Sequence, residues 1–171
     1  PLPSTYISIQ DENEKLCNQG EVGEICVKGP QVMKGYWINE TETKKAFSKD
    51  GWFKTGDQVE VKGEYIKILG RTSDVINVGG EKVYPQEVEN IIQELDNIQE
   101  AIVFGEKNPI MGNIVCANII QKNKNVDKKT IIKEITTYCT KKLEKYKVPI
   151  KINININSKN NFRFKKKRLL K

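Results

Sequence analysis

The chain has 171 residues, of which 37% are hydrophobic and 30% charged, with 29 Lys and Arg against 22 Asp and Glu and no histidine. This globular composition is long for one small domain and short for two large ones; it holds no apolar run of the roughly 18 residues a membrane span needs, and the opening PLPSTYISIQ lacks the basic and apolar segments of a secretory signal. With no histidine, Ser-His and Cys-His nucleophilic catalysis are excluded within the chain, and Cys17, Cys26, Cys116 and Cys139 form no C-x-x-C pair, so no metal site is expected.

In chain order, short strands are predicted at Tyr6–Ile9, Gly23–Val27, Gln58–Val61 and Tyr65–Ile68, the last two joined through Lys62-Gly63 as a hairpin. The pattern changes after Arg71. Asp74–Val78 is strand-like, Gly79-Gly80 permits a turn with positive φ, and Pro85 suits a first helical position. Val88, Ile91, Ile92 and Leu95 then fall on one helical face. Strands follow at Ala101–Phe104 and Ile114–Ile120, before a second helix with Asp127 as N-cap and a stripe of Ile131, Ile132, Ile135, Tyr138 and Cys139. Ile150–Ile156 alternates perfectly, as a half-buried strand does. The expected class is α+β: a short mainly-β segment over residues 1–72, then a small α+β domain over 73–171 with two helices on a small sheet and enough length for its own core. Charge divides at the same place, from a net −1 over 1–72 to +8 over 73–171. Cys26 and Cys116 lie in apolar strand runs and Cys139 on a helical stripe, so buried thiols in a reducing cytoplasm are expected.

The densest information lies between Asp50 and Glu89. Thr55-Gly56-Asp57 is followed by Gly70-Arg71 and then by Asp74-Val75-Ile76-Asn77-Val78-Gly79-Gly80-Glu81-Lys82, which leads into the helix start at Pro85. Upstream stand Gly23-Glu24-Ile25-Cys26-Val27-Lys28-Gly29 and Met33-Lys34-Gly35-Tyr36-Trp37, continued by Glu42-Thr43 and Phe47. Four motifs in this order resemble the back third of the AMP-forming adenylating enzymes. That superfamily comprises acyl-CoA synthetases, the adenylation domains of nonribosomal peptide synthetases and beetle luciferases. The resemblance runs from Gly20 to the C-terminus, and a chain opening inside the family's barrel region without Met is expected to be a fragment.

The resemblance implies roles residue by residue. Asp57 would hold the ribose of ATP and of the acyl-adenylate; an ionised carboxylate is acceptor-only, with two oxygens to meet two vicinal hydroxyls. Gly56-Asp57 alone would equally suit an ordinary Asx-type turn. Arg71 resembles the arginine that reaches the ribose and phosphate side, where a guanidinium fork serves better than Lys, although an ordinary surface ion pair also accounts for it. Ser73 falls at the family's hinge in place of the usual Asp or Lys. A hinge needs tolerant φ/ψ rather than a particular charge, but Ser73 carries no charge with which to make that residue's usual electrostatic contacts. Val78, Gly79 and Gly80 resemble the loop lining the pantetheine tunnel, and the glycines also fit a plain tight turn. Lys82 stands where the family often has an Arg directed at phosphate.

The tail carries six basic residues in nine positions: Arg163, Lys165, Lys166, Lys167, Arg168 and Lys171. The family's closing Gly-Lys-x-x-Arg is matched by Phe164-Lys165-Lys166-Lys167-Arg168 with Phe for Gly. Lys165 is thus the candidate catalytic lysine, bridging substrate carboxylate and α-phosphate; sliding the register by two would substitute Arg163. A solvated or polyanion-binding tail is the competing reading.

The implied parent is an ATP-dependent acid–thiol ligase using Mg²⁺, which activates a carboxylic acid as acyl-adenylate and passes it to CoA or a phosphopantetheine carrier. The phosphate-binding loop, the adenine- and Mg²⁺-meeting element and the acyl pocket are not in this sequence, so the fragment is expected to be inactive alone and to need an N-terminal large domain, in the same or a separate chain. Two other classes remain: a non-catalytic half that binds a separately encoded large domain, and a polyanion binder using the basic tail. Nucleic acid ranks last, since no aromatic platform or groove-reading helix accompanies the charge.

Overall fold

In the computed structural model, which describes residues 3–123 and 126–155, the chain divides into two compact units, Pro1–Ser73 and Asp74–Lys171. The architecture is α+β and mostly sheet, with three α-helices among the described residues.

The first unit is built on an antiparallel sheet of β1 (Tyr6–Gln10), β2 (Val22–Lys28), β3 (Phe53–Lys62) and β4 (Tyr65–Arg71), in the order β1-β2-β3-β4. Strands β3 and β4 form a hairpin through Gly63, whose φ of 60° lies in the region glycine enters without penalty. Register shifts occur between Glu24 and Cys26 on β2 and between Gln58 and Val59 on β3. Both flank the Thr55-Gly56-Asp57 segment, and such bulges bend a strand and re-aim its side chains. Between β2 and β3 the chain forms α1 (Glu40–Ala46), a helix the sequence reading missed. It buries none of its residues and so has no apolar stripe, but Asn39 caps it by accepting from the Glu42 N–H.

A 3₁₀ turn over Thr72–Asp74 spans the boundary between the units and shortens the strand expected at Asp74–Val78 to β5 (Ile76–Val78). The chain does not pass from Gly79-Gly80 straight toward a helix. It returns as β6 (Glu81–Val83), with Ile76 opposite Val83. Both glycines have positive φ, 61° and 95°, the backbone of a two-residue primed hairpin turn. Val83 is fully buried, which explains why this three-residue return is held as a strand.

Helix α2 (Pro85–Gln93) begins at the proline and buries Val88 and Ile92, while Ile91 and Leu95 pack against the same core. Then β7 (Ile98–Asn108) and β8 (Gly112–Gln121) make a long antiparallel hairpin, and β9 (Lys151–Asn155) pairs parallel to β8. A parallel pair needs a crossover, supplied by α3 (Lys128–Lys142). Asp127 caps it by accepting from the Lys129 and Thr130 amides, and Ile131, Ile135 and Cys139 are buried. Both helices and the sheet contribute to one continuous core, which takes in Val103, Val115, Ala117 and Ile119 from the strands.

Candidate functional site

Asp57 and Arg71 are opposite one another on β3 and β4. The Arg71 Nε is 2.9 Å from Asp57 Oδ1, and its Nη1 donates to the Thr55 carbonyl at 2.7 Å. A carboxylate and a carbonyl therefore fix the guanidinium on two sides, a geometry a lysine ammonium could not reproduce. The Asp57 side chain retains 37% of its exposure and that of Arg71 58%, so the pair faces solvent rather than a core.

The backbone beneath the pair is tied down on every side. Thr55 Oγ1 donates to the Ile25 carbonyl at 2.8 Å and accepts the Asp57 N–H at 3.1 Å, and a Glu24 carboxylate oxygen accepts the Gly56 N–H at 2.7 Å. Thr72 Oγ1 donates to the Gly56 carbonyl while accepting from Gln58 Nε2. Gly56 has a φ of 79°, and a Cβ there would stand 3.3 Å from Arg71 Nη1. The positive φ favours glycine, and a Cβ would also crowd the guanidinium by a few tenths of an ångström. The supporting roles of Glu24, Thr55 and Thr72 were missed in the sequence, although Glu24 and Thr55 lie inside quoted motifs; a cross-strand hydrogen bond leaves no spacing signal.

In the second unit, Val78, Gly79, Gly80 and Lys82 come together on the β5–β6 hairpin. Val78 is buried, and Lys82 is exposed opposite Asn77. The Gly79 N–H donates to the Met111 carbonyl at 2.8 Å, and a Cβ on Gly79 would meet Met111 Cε at 2.8 Å. The Gly80 N–H donates to Asn77 Oδ1 at 3.0 Å, and no atom lies within 4 Å of where its Cβ would be, so that side of the turn is open. Ser73 is exposed in the 3₁₀ turn over Thr72–Asp74. Lys165 and the alternative Arg163 lie outside the described residues.

A buried acid also escaped sequence reading. Glu89 on α2 is fully buried and accepts the Val103 N–H at 3.0 Å, meeting an amide of β7, an edge strand of its sheet. Its signal was present, because Pro85, Val88, Glu89 and Ile92 share the buried face of α2. All four cysteines are free. Burial pushes the Cys26, Cys116 and Cys139 thiols up to about 11. They are therefore packing groups rather than nucleophiles. Among the described residues no three metal-ligating side chains gather, and no helix is long and apolar enough to cross a membrane.

Comparison with known proteins places this geometry. Residues 1–37 match the model of the AMP-binding enzyme family, and residues 87–158 match that of the AMP-binding enzyme C-terminal domain. Over 151 residues the chain is 36% identical to a long-chain-fatty-acid–CoA ligase of Salmonella typhimurium, covering 87% of this chain and 26% of that protein. It is 40% identical over 150 residues to a 2-succinylbenzoate–CoA ligase of Bacillus licheniformis, covering 87% of this chain and 30% of that one. Among solved structures, o-succinylbenzoate CoA synthetase from Bacillus subtilis, in complex with its acyl-adenylate intermediate, matches with a TM-score of 0.80 and 37% identity, over 91% of this chain and 31% of that one. ATP-bound MatB from Rhodopseudomonas palustris matches with a TM-score of 0.80 and 34% identity, over 90% and 30%. The chain thus spans less than a third of the length of these relatives. By its motifs, its fold and these matches, it belongs to the AMP-binding, adenylate-forming enzymes and corresponds to their C-terminal portion.

Proposed function

We propose that the chain serves an ATP-dependent, AMP-forming acid–thiol ligase, in which a carboxylic acid is activated as acyl-adenylate and transferred to CoA or a phosphopantetheine carrier. The observation that carries this reading is the Asp57–Arg71 pair, a part-exposed carboxylate held at 2.9 Å by a guanidinium that is itself anchored to Thr55. Two vicinal ribose hydroxyls need an acceptor-only group with two oxygens, and Asp57 provides one in a fixed orientation. The arrangement thus fits the sugar of ATP or AMP. Arg71 adds positive charge on the phosphate side. Lys82 is proposed, on the motif alone, as a phosphate-directed cation of the complete enzyme.

Ser73 is the proposed hinge, at a 3₁₀ turn between β4 and β5. The Gly79-Gly80 turn is the proposed wall of the thiol tunnel, its open side at Gly80 leaving room for a thin pantetheine arm. Lys165 is the proposed lysine bridging acid and α-phosphate. Mg²⁺ would offset phosphate charge in the complete enzyme. The free, buried thiols suit a reducing compartment, and the cytoplasm is proposed.

In the complete enzyme, Asp57→Ala removes charge-assisted bonds worth about 1.5–3 kcal/mol each. Binding of ATP and adenylate should weaken by about tenfold or more, read as acid-dependent ATP–pyrophosphate exchange at limiting ATP. Unchanged exchange would contradict the ribose role.

A second reading, a non-catalytic half that pairs with a separately encoded large domain, draws on the exposed apolar side chains of the first unit, among them Tyr6, Ile7, Tyr65 and Ile68. Gel filtration with and without the large domain separates it from the first: a stable complex devoid of exchange activity favours this half reading.

A further inference from the structure

Apart from the Asp57–Arg71 pair, the first unit carries a concave feature with a marked charge. A depression of about 570 Å³ is walled by Lys34, Lys44, Lys45, Lys49, Lys54 and Glu14. The depression is open to solvent and Lys34, Lys44, Lys45 and Lys49 are exposed, so a ligand there would be held by charge rather than by enclosure. Five ammonium groups around one hollow repel one another unless anions join them.

The protein places one anion there itself. Glu14 Oε1 is 2.9 Å from Lys54 Nζ, and Oε2 accepts the Lys49 N–H at 3.1 Å. Glu14 has a φ of 63°, a left-handed conformation uncommon outside glycine, in a turn where its N–H donates to the Asp11 carbonyl. The Lys54 hydrogen bond, followed by the Lys49 amide, holds the Glu14 carboxyl below its ordinary range. A second acid, Glu42, engages Lys45 at 2.8 Å from the same helix.

The fold keeps the remaining cations together. Thr43 Oγ1 accepts the Tyr36 N–H at 2.9 Å and donates to the Asn39 carbonyl at 2.8 Å, so the loop carrying Lys34 is fastened to the helix carrying Lys44. The Ser48 hydroxyl, in a residue only 6% exposed, accepts the Trp52 N–H and fixes the turn that bears Lys49.

We propose that this depression binds a small anion carrying at least two phosphate groups, with Lys34, Lys44 and Lys49 as its ligands and the Glu14 carboxylate as a built-in competitor. No arginine fork lines the wall, so nothing selects a planar carboxylate, whereas ammonium groups act as point charges well suited to phosphate oxygens. Several cations spread over one hollow match several charges better than one. The site is distinct from the proposed ribose clamp and does not depend on the ligase reading.

The test is a calorimetric titration of the 171-residue chain with inorganic pyrophosphate at low ionic strength, with thermal unfolding of each variant as the check on folding. Saturable binding is expected. Lys44→Gln combined with Lys49→Gln should weaken it by about tenfold, and Glu14→Gln should tighten it by about threefold, the sizes expected for partly screened charge pairs. Lys166→Gln with Lys167→Gln, in the basic tail, should leave it unchanged. The opposite sign at Glu14 is the decisive feature: weaker or unaltered binding in Glu14→Gln overturns the proposal, as does a loss seen only in the tail variant. Sedimentation with phosphatidylglycerol vesicles that depends on Lys44 and Lys49, without pyrophosphate binding, would overturn it in favour of a lipid surface.

Discussion

The two units contrast in how they use their apolar residues. The second unit gathers fifteen buried side chains, from Ile76 to Ile154, into one cluster drawn from both helices and both its sheets. Among the described residues of the first unit the buried apolar side chains are Cys26, Val59 and Leu69, while Tyr65, Ile66 and Ile68 are exposed along β4, an edge strand. Single exposed apolar residues are ordinary, but three on one open edge are not. The second unit combines a large core with a few exposed apolar side chains, Ile110, Met111 and Ile150, whereas the first has a small core, is held chiefly by sheet hydrogen bonds and exposes more apolar surface. The proposed chemistry divides along the same line, with the ribose clamp in the unit that lacks a large core and the thiol-tunnel turn in the unit that has one.

The contrast can be broken most severely by core truncation. Ile135→Ala deletes a fully buried side chain of α3 and should cost about 2–5 kcal/mol in urea unfolding, while Ile68→Ala on the exposed edge of β4 should stay within about 0.5 kcal/mol. Equal losses at the two positions would mean that β4 is covered in solution. Functional division is tested next. In the complete enzyme Lys165→Ala should depress adenylate formation about 100- to 1,000-fold, the loss for one preorganised charge-stabilising donor. Thioester formation from supplied acyl-adenylate should survive, and Arg163→Ala and Lys166→Ala should cost far less. A loss confined to Arg163 would shift the catalytic register by two, and equal losses at all three positions would favour a diffuse basic tail. A smaller effect is expected at Glu89→Leu, which fills similar space but removes the acceptor of the Val103 amide. About 1–3 kcal/mol should be lost, measured by denaturation, with faster hydrogen exchange at that amide than at its neighbours.

How much of this was legible in the sequence follows the same physics. The α2 and α3 stripes, the Asp127 cap and the β3–β4 hairpin were all readable, because each rests on a spacing within one segment. Helix α1 was not, since it buries nothing and so lacks periodicity. Strand β6 was missed because three residues are too few to show alternation, and only pairing with β5 and burial of Val83 define it. The motif series named Asp57 and Arg71, but their contact depends on register across β3 and β4, and the Glu24 and Thr55 supports depend on register across β2 and β3. The lysine-lined depression was equally hidden, because Glu14 and Lys54 meet from positions forty residues apart.

Native-state hydrogen exchange on the intact chain measures the central contrast directly, since it reports opening free energies segment by segment. The amides of Val115, Ala117 and Ile119 on β8, at the centre of the second unit's core, should exchange only through global opening of that unit. Those paired between β3 and β4, such as Val59 and Ile68, should exchange through a smaller, separate opening and respond to denaturant with a shallower slope. Protection of β3 and β4 equal to or greater than that of β8 would contradict the account, because it would show that the first unit has all the packing it needs.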